Sequence, residues 1–520
     1  MDASPKETSI SKPTPVNWRV VLVSFTIMVA SASTISVVFP FLPWLVRKFK
    51  RDGEFVQEED AGYYAGLVAS AFFIGRFVGS YFWGTLSDTK GRRWSILLSG
   101  TLLSSFTFTF AFTNTQTGLA WAMVTRILSG ASEGILGICK ATVADISDDT
   151  NQAKGMSFVS ASWGVGLIFG SAIGGLLAEP VRQYPGRFPK GLLETFPYFL
   201  PSALVAFLNL IGVAIVFFFL PETSKRKKKK KKKRDSSAKK DDDVALVVMD
   251  TNEVARESVA DDPETEPVVL VSAKNGVWTR FMNLGKRARR ASANAVKKLK
   301  ATVIALLRVK EARLAVATYC VYSFSVIGFS ELTSLWMATK PFRGGLGFSE
   351  KEIGICQAAM SVFLVPVQIP FTYKVERKLG PLTTFYVCCV VCVCSVALLS
   401  AIPSIESVVL LWTVLVIVLF PMRLFIGVGF AMISILINNS VPKRQVGSIN
   451  GLSISLTALT RSFAPTFGGS VFAWCISRGT IDIGFPFDYH LVFYLFSIIY
   501  LLALLLAVYL PNSLQKQKRE

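Results

Sequence analysis

Runs of predominantly apolar residues recur along this chain between short polar breaks. Val20–Val46, Phe199–Leu220 and Leu491–Leu510 are three of them, and Val408–Ile437 is a fourth, interrupted only by Arg423. A bilayer span needs about 20 such residues. Dividing the chain at its polar breaks gives twelve spans. Six fall in the first half, at 18–46, 62–86, 94–113, 118–145, 155–178 and 197–220. Six follow, at 314–338, 351–373, 382–402, 408–438, 446–476 and 489–510. The pattern predicts an all-α polytopic membrane protein of twelve transmembrane helices in two pseudo-symmetric six-helix halves, 18–220 and 313–510. Residues 1–17 and 511–520 are tails, and 221–312 form a long linker between the halves.

Composition agrees: 51% of the 520 residues are hydrophobic and the mean hydropathy is +0.46. The formal charge of +21 would suit a nucleic-acid binder if it were spread over a soluble surface. Instead, residues 221–310 hold 24 Lys and Arg against 12 Asp and Glu, so this one segment supplies much of the surplus. Ten consecutive basic residues, Lys225–Arg234, start just beyond the apolar run that ends at Leu220. Basic loops beside spans mark the cytoplasmic face. Lys90-Gly91-Arg92-Arg93, Lys154, Lys374–Lys378, Lys443-Arg444 and the tail with Lys516, Lys518 and Arg519 all fall on the side of that linker. The opposite loops include Thr113–Gly118 and Pro403–Ser407, which carry no basic residue. Others do carry them: Arg47, Lys48, Lys50 and Arg51 in the first, Arg182, Arg187 and Lys190 in the fifth, Lys340 and Arg343 in the seventh. The balance predicts cytoplasmic N- and C-termini and no nucleic-acid partner. Plasma membrane and vacuolar or lysosomal membrane are both compatible with it.

Within the linker, Asp235–Pro267 is acidic, polar and predicted to be disordered. Val277–Leu307 interleaves Trp278, Phe281, Leu284, Leu299 and Leu306 with Arg287, Arg290, Lys297 and Lys300. Either an amphipathic helix on anionic inner-leaflet lipid or a solvated basic linker would have this composition.

Ionisable residues inside spans are costly and mark function by default. Arg126, Glu133 and Lys140 are spaced by seven on one predicted continuous helix, which places them on one face together with Gly130, Gly137 and Ala144. They would line a polar cavity, or else form a static ion-pair network. Arg76, Arg423 and Arg461 are further candidates. Glu133 and Glu331 are the two acids well inside spans and lead as proton carriers. Glu133 is expected to switch between Arg126 and Lys140, while Glu331 has no cation one or two turns away on its own helix. Asp145, at the end of the same span as Glu133, is expected to pair with Arg92, and His490 to lie at the membrane surface.

Between the second and third spans the chain reads Gly84-x-x-x-Asp88-x-x-Gly91-Arg92-Arg93. Gly91 would allow the bend, Gly84 close packing, and Asp88 and Arg92 an ion pair. This motif resembles the signature of the major facilitator superfamily. Arg126-x-x-x-Gly130-x-x-x-Gly134 and the ending Leu220-Pro221-Glu222-Thr223 are also similar to that family's patterns. On the fifth span, Gly166-x-x-x-Gly170-Ser171-x-x-Gly174-Gly175 resembles an antiporter motif, with Ser171 where proline is usual. Phe73-Ile-Gly75-Arg76, Gly79-Ser80, Trp83-Gly84, Leu177-Ala178-Glu179-Pro180 and Glu331 look like the drug:proton antiporter group, and closest to zinc-induced-facilitator-like members. Plant members carry a cysteine motif near the N-terminus and a histidine motif in the central loop. Here Met1–Asn17 has no Cys and the linker no His, which argues against a metal or metal-chelate substrate.

Internal repetition supports two related halves without any family knowledge. Arg126-x-x-x-Gly130 recurs as Arg423-x-x-x-Gly427, and Gly170–Gly175 as Ala464–Gly469. Leu220-Pro221-Glu222-Thr223 recurs as Leu510-Pro511-Asn512-Ser513, and Gly91 as Gly380. The offsets all lie between 289 and 297. Paired halves with a midplane site are a transporter architecture.

No phosphate loop, metal-spaced His cluster or nucleophile constellation points to an enzyme. Cys389 and Cys392 have C-x-x-C spacing, but within an apolar run, so neither metal nor cofactor is expected. The expected function is secondary active transport of a small solute by alternating access, as proton-coupled antiport. A uniporter, or a transporter-like receptor signalling through the linker, is the alternative.

Overall fold

The computed structural model describes residues 14–51, 54–147, 152–189, 191–223, 309–442, 445–477 and 483–515. The Lys225–Arg234 run, the stretch Asp235–Pro267, the segment Val277–Leu307, and Lys190, Lys443, Arg444, Lys516, Lys518 and Arg519 lie outside the described residues.

The first half contains Trp18–Ser36 (α1), Leu42–Arg47 (α2), Ala61–Lys90 (α3), Arg92–Phe110 (α4), Gly118–Ser132 (α5) and Ile135–Ile146 (α6). Gln152–Leu177 (α7), the short Pro180–Gln183 (α8) and Leu192–Thr195 (α9), and Phe199–Phe219 (α10) complete it. The second half contains Lys310–Ala338 (α11), Glu350–Leu379 (α12), Pro381–Leu399 (α13), Val408–Asn439 (α14), Val446–Trp474 (α15) and His490–Val508 (α16). Among the described residues the only strands are Lys50–Arg51 (β1) and Glu54–Phe55 (β2), a small antiparallel pair with Lys50 opposite Phe55. The fold is all-α and polytopic, with two sets of six spans.

Among the described residues, eight spans are long and apolar enough to cross a bilayer by length and composition alone. The remaining four are α4, α7, α12 and α15, and three of these pack one half against the other: α7 on α12 and α14, and α15 on α3. A helix shielded from lipid by a neighbouring helix has no need of an apolar surface all round, so Gly, Ser and Thr accumulate there.

Two spans expected to be continuous are not. The first breaks into α1 and α2 across Val37–Phe41, where Pro40 supplies no backbone donor. The fourth breaks at Glu133, whose ψ of 94° leaves the helical region, and resumes at Ile135. A break at membrane depth strands backbone groups unless side chains take them up. Here the Trp83 indole N–H donates to Ala131 O at 2.7 Å. The Ser99 hydroxyl donates to Ser132 O at 2.7 Å and accepts from Gly134 N at 3.0 Å. The Trp83 ring fills the place a Cβ on Gly134 would need, 2.4 Å from its Cγ.

The repeat has structural meaning at the α3–α4 and α12–α13 turns. Gly91 (φ 104°) and Gly380 (φ 76°) both hold conformations that favour glycine. Each is covered by a side chain from the end of its own half. A Cβ on Gly91 would stand 2.3 Å from Glu222 Oε2, and one on Gly380 2.6 Å from Gln515 Oε1. Gly84 departs from its expected role: a Cβ there would meet nothing within 4 Å, so close packing does not explain it.

Candidate functional site

The helix break creates the first part of the site. Glu133 turns towards α3, and Arg76 Nε lies 3.0 Å from Glu133 Oε2, with both side chains almost fully buried. Glu133 Oε1 accepts from the Ser31 hydroxyl at 3.0 Å and from Leu136 N at 3.3 Å. The carboxylate therefore also caps the first turn of α6, where a helix N-terminus favours negative charge. This corrects the expected switch between Arg126 and Lys140. A seven-residue spacing shares one face only along an unbroken helix, and at the break Glu133 pairs with Arg76, away from Arg126 and Lys140.

Arg126 donates to Thr34 O at 3.0 Å and Ile35 O at 3.3 Å, the last turn of α1, and stacks 4.8 Å over Phe72. Its repeat counterpart Arg423 donates to Ser330 Oγ of α11 at 3.2 Å. Each arginine thus ties the fourth span of its half to the first. Their partner glycines match too. A Cβ on Gly130 would stand 1.8 Å from Phe72 O of α3, and one on Gly427 1.9 Å from Gln368 Nε2 of α12.

Glu331 follows Ser330 on α11 and is 2% exposed. Its Oε2 has no hydrogen-bond partner, and no ion pair joins it to a cation among the described residues. The two candidate acids therefore stand in different surroundings, one ion-paired and accepting two hydrogen bonds, the other buried without a cation.

A third group assembles where the halves meet. Lys140 of α6 and Arg461 of α15 are both buried. Arg461 donates to Ser323 Oγ at 3.0 Å. Arg76 and Arg461 lie 4.7 Å and 5.8 Å from the centre of the same indole, Trp163 of α7. The Arg461 guanidinium also lies 5.9 Å from the ring centre of Tyr319 of α11. Sequence reading singled out the cations but neither Trp163 nor Tyr319. One Trp and one Tyr among 10 and 13 in a bilayer carry no distinguishing signal.

At the Gly91 end, Arg92 gathers four residues. Its side chain lies 3.0 Å from Asp145 Oδ2 and 2.8 Å from Asp88 Oδ1 and donates to Ser87 Oγ at 2.7 Å. Its backbone N–H donates to Glu222 Oε1 at 2.9 Å. Arg93 donates to Phe217 O and stacks on that ring. All of these contacts are internal to the first half. Glu222 was legible only as part of a common ending, and its capping of α4 emerges from the fold. Asp88 is 63% exposed against 21% for Asp145. An exposed pair contributes about 0–1 kcal/mol. Asp145→Asn is therefore expected to slow transport more than Asp88→Asn at equal surface expression, as initial uptake rates would read.

At the opposite end the halves are joined. Arg182 of α8 lies 2.6 Å from Glu350 of α12, Lys340 3.5 Å from Glu58, and Arg343 pairs with Glu59. Lys48 and Arg182 both pair with Glu179. Glycines bring the backbones together beneath these pairs. A Cβ on Gly175 would stand 2.5 Å from Glu350 O and Gly354 Cα, and one on Gly62 2.4 Å from Gly469 O. Gly166, Gly170 and Gly174 pack against α1 instead, at Val29 O, Ser33 O and Val37 O, and Ser171 Oγ donates to Ser36 O at 3.3 Å. His490, at the same end of the bundle, pairs with Asp488 at 2.8 Å.

Glu350 precedes the apolar segment 351–373. Burial holds its carboxyl above the usual carboxylate range, opposed by its own backbone N–H and Arg182, with Glu179 adding to the rise. A carboxyl with a raised pKa in the closed arrangement binds its proton more tightly there. Closure is therefore favoured as pH falls through the window between the ordinary and raised values, and is penalised above it. Hydrogen exchange in the first turn of α12, corrected for intrinsic rates, is expected to slow on mild acidification. Glu350→Gln should remove that dependence.

Twelve spans in two repeated halves, an Arg92-centred turn and buried charges at mid-depth are now joined by one decisive likeness. A family model described as Major Facilitator Superfamily matches residues 22–465. This chain belongs to the Major Facilitator Superfamily. It is 29% identical to the protein ZINC INDUCED FACILITATOR 1 of Arabidopsis thaliana, over 91% of this chain and 87% of that one. To the multidrug transporter mfsB of Aspergillus fumigatus it is 27% identical, covering 83% of this chain and 74% of the relative. The solved structure of the human organic anion transporter MFSD10 (TETRAN) shares the fold, with a TM-score of 0.58 at 18% identity over 95% of this chain and 100% of that one. As a member of the superfamily the chain is an integral multi-pass membrane protein and a secondary transporter of small molecules, similar to the zinc-induced-facilitator-like proteins.

Proposed function

We propose that this superfamily member is a proton-coupled antiporter that works by alternating access, with Glu331 as the leading proton-carrying acid. The observation that carries the reading is the contrast between the two buried carboxyls. Glu133 is ion-paired with Arg76 and accepts from Ser31 and Leu136 N, so a cation already stands beside it. Glu331 is buried without a cation, so its charge costs most and its proton is the one that a conformational change would move. Ser330, held by Arg423, sits beside it and links its position to α14.

The Gly91 end faces the cytoplasm in this reading. Support comes from Lys90, Arg92, Arg93 and Lys374–Lys378 on that side, and from the basic run that follows Leu220 in the sequence. The ion-paired end with Arg182 and Glu350 then faces outward and is closed, so the conformer is sealed to the outside. The Asp88–Arg92–Asp145 group acts as a cytoplasmic gate element, and Gly175 of α7 lets the halves meet at the outer end. The glycine pattern of α7 resembles an antiporter motif, which supports exchange. The test is flux in sealed proteoliposomes loaded with candidate solutes, with and without an imposed proton gradient. A gradient of the right sign should drive solute against its concentration while protons move the other way. Flux that ignores the gradient in both directions would leave a uniporter in place of the antiporter.

A further inference from the structure

We propose that the cluster where the halves meet binds an organic anion, its charge held between Arg461 and Lys140 and its apolar body against Trp163, Tyr319 and Phe430. This deepens the transport reading and rests on it.

Among the described residues, the buried cations of the spans are Arg76, Arg126, Lys140 and Arg461, and Arg423 is half-buried. Glu133 neutralises Arg76. Arg126 lies on the carbonyls of α1 and Arg423 on a hydroxyl of α11. Lys140 and Arg461 have no carboxylate within 4 Å among the described residues, and the helices that carry them, α6 and α15, pack against one another. Two uncompensated cations out of water are costly, and the cost is relieved by an opposite charge between them. Glu331 does not supply it, since it pairs with neither. A cationic solute would meet repulsion from both groups. An anionic one would complete the site.

The second observation is independent of charge. Polar atoms with no partner collect around the same place. Trp163 Nε1, Arg461 Nε, and both Gln368 Nε2 and Gln368 Oε1 are buried and unbonded. Gln368 faces Gly164, the residue after Trp163, with its Nε2 3.5 Å from where a Cβ there would be. Buried polar groups are rarely left unbonded, and four in one neighbourhood mark a place that another molecule completes. Most of them are donors, which suits the oxygens of a carboxylate or sulfonate.

The third is shape. Arg461 stacks 5.6 Å from the Phe430 ring and 5.9 Å from Tyr319, and Trp163 lies between Arg76 and Arg461. Aromatic faces beside guanidinium groups accept a flat apolar body next to a negative group. Lys140 belongs to the first half and Arg461 to the second, so a bound anion would join the two halves. That is the placement an alternating-access substrate needs.

The test uses the detergent-purified full chain and three probes that share one body and differ in charge: phenylbutyrate, phenylbutanol and phenylbutylamine. Binding to the folded state alone raises the midpoint of thermal unfolding. Phenylbutyrate is expected to raise it, phenylbutanol less and phenylbutylamine not at all. Arg461→Gln and Lys140→Met should each lose the phenylbutyrate shift, while Arg461→Lys keeps part of it. The charge series on the unmutated chain decides the matter even if a variant fails to fold. No shift with phenylbutyrate, an equal shift with all three probes, or a larger shift with phenylbutylamine would overturn the assignment. So would a full phenylbutyrate shift in folded Arg461→Gln and Lys140→Met. An anion-selective shift in a chain that carries no solute across a membrane would sink the transport reading alone. Proton-driven flux with amine selectivity would sink the anion assignment alone.

Discussion

Glu331→Gln is expected to abolish proton-driven solute flux while leaving the protein about as stable as the unmutated chain. Glu133→Gln is expected to do the reverse in kind, lowering stability first. The two acids are equally buried, at 2% exposure each, so burial does not separate them. Their partners do. A Gln at 331 replaces a carboxyl that no cation holds, and the amide resembles its protonated form in shape and charge. A Gln at 133 leaves Arg76 charged and buried beside a neutral group. It also weakens the acceptor that the Ser31 hydroxyl and Leu136 N–H share. Removing one partner of a buried ion pair costs about 3–5 kcal/mol. Thermal unfolding in detergent and gradient-driven flux in proteoliposomes, measured on both variants, separate the outcomes. Full proton-driven transport in Glu331→Gln would return the coupling role to another group. An unshifted unfolding midpoint in Glu133→Gln would mean that the Arg76 pair contributes nothing to stability.

Gly175→Leu is expected to eliminate transport by keeping the Arg182–Glu350 end from closing. A Cβ at that position would stand 2.5 Å from Gly354 Cα and from Glu350 O, which are backbone atoms of the other half. A side chain can rotate out of the way of an added methyl group, but a helix backbone must move as a whole. Overpacking of an ordinary core costs about 1–3 kcal/mol, relieved by local shifts. Here the relief is separation of α7 from α12, which also breaks the Arg182–Glu350 pair. Substrate exchange should stop and hydrogen exchange in the first turns of α12 should rise. Membrane insertion and the α1–α7 contact through Gly166, Gly170 and Gly174 should persist, because those glycines face α1. Transport at the unmutated rate would show that this end never needs to close so tightly.

The comparison of residues with structure is most instructive at the loops that broke the charge rule. Arg47, Lys48, Arg182, Lys340 and Arg343 lie on the side that positive-inside bias should leave poor in cations. Each has an acid across from it: Glu58 for Arg47 and Lys340, Glu179 for Lys48 and Arg182, Glu350 for Arg182, Glu59 for Arg343. Those charges are committed to ion pairs, several of them between halves. The pairs between halves join residues 168 to 284 positions apart, which no local pattern reveals.

Span number, the division into halves and the special turn at Gly91 were determined by the sequence itself, because each depends on local quantities. Apolar length sets a span, a repeated offset sets the pseudo-symmetry, and one φ of 104° sets a glycine. Even the finer echo, Glu222 over Gly91 and Gln515 over Gly380, lies along matching stretches of the two halves. Tertiary structure alone decided which charges meet. Arg126, Glu133 and Lys140 share a face on an ideal helix, but Trp83 and Ser99, from α3 and α4, satisfy the backbone of a broken one. The break turns Glu133 to Arg76 and leaves Lys140 for the meeting of the halves. Electrostatic partnership falls off over a few ångströms in space and not along the chain, so only the folded arrangement of the helices could assign it.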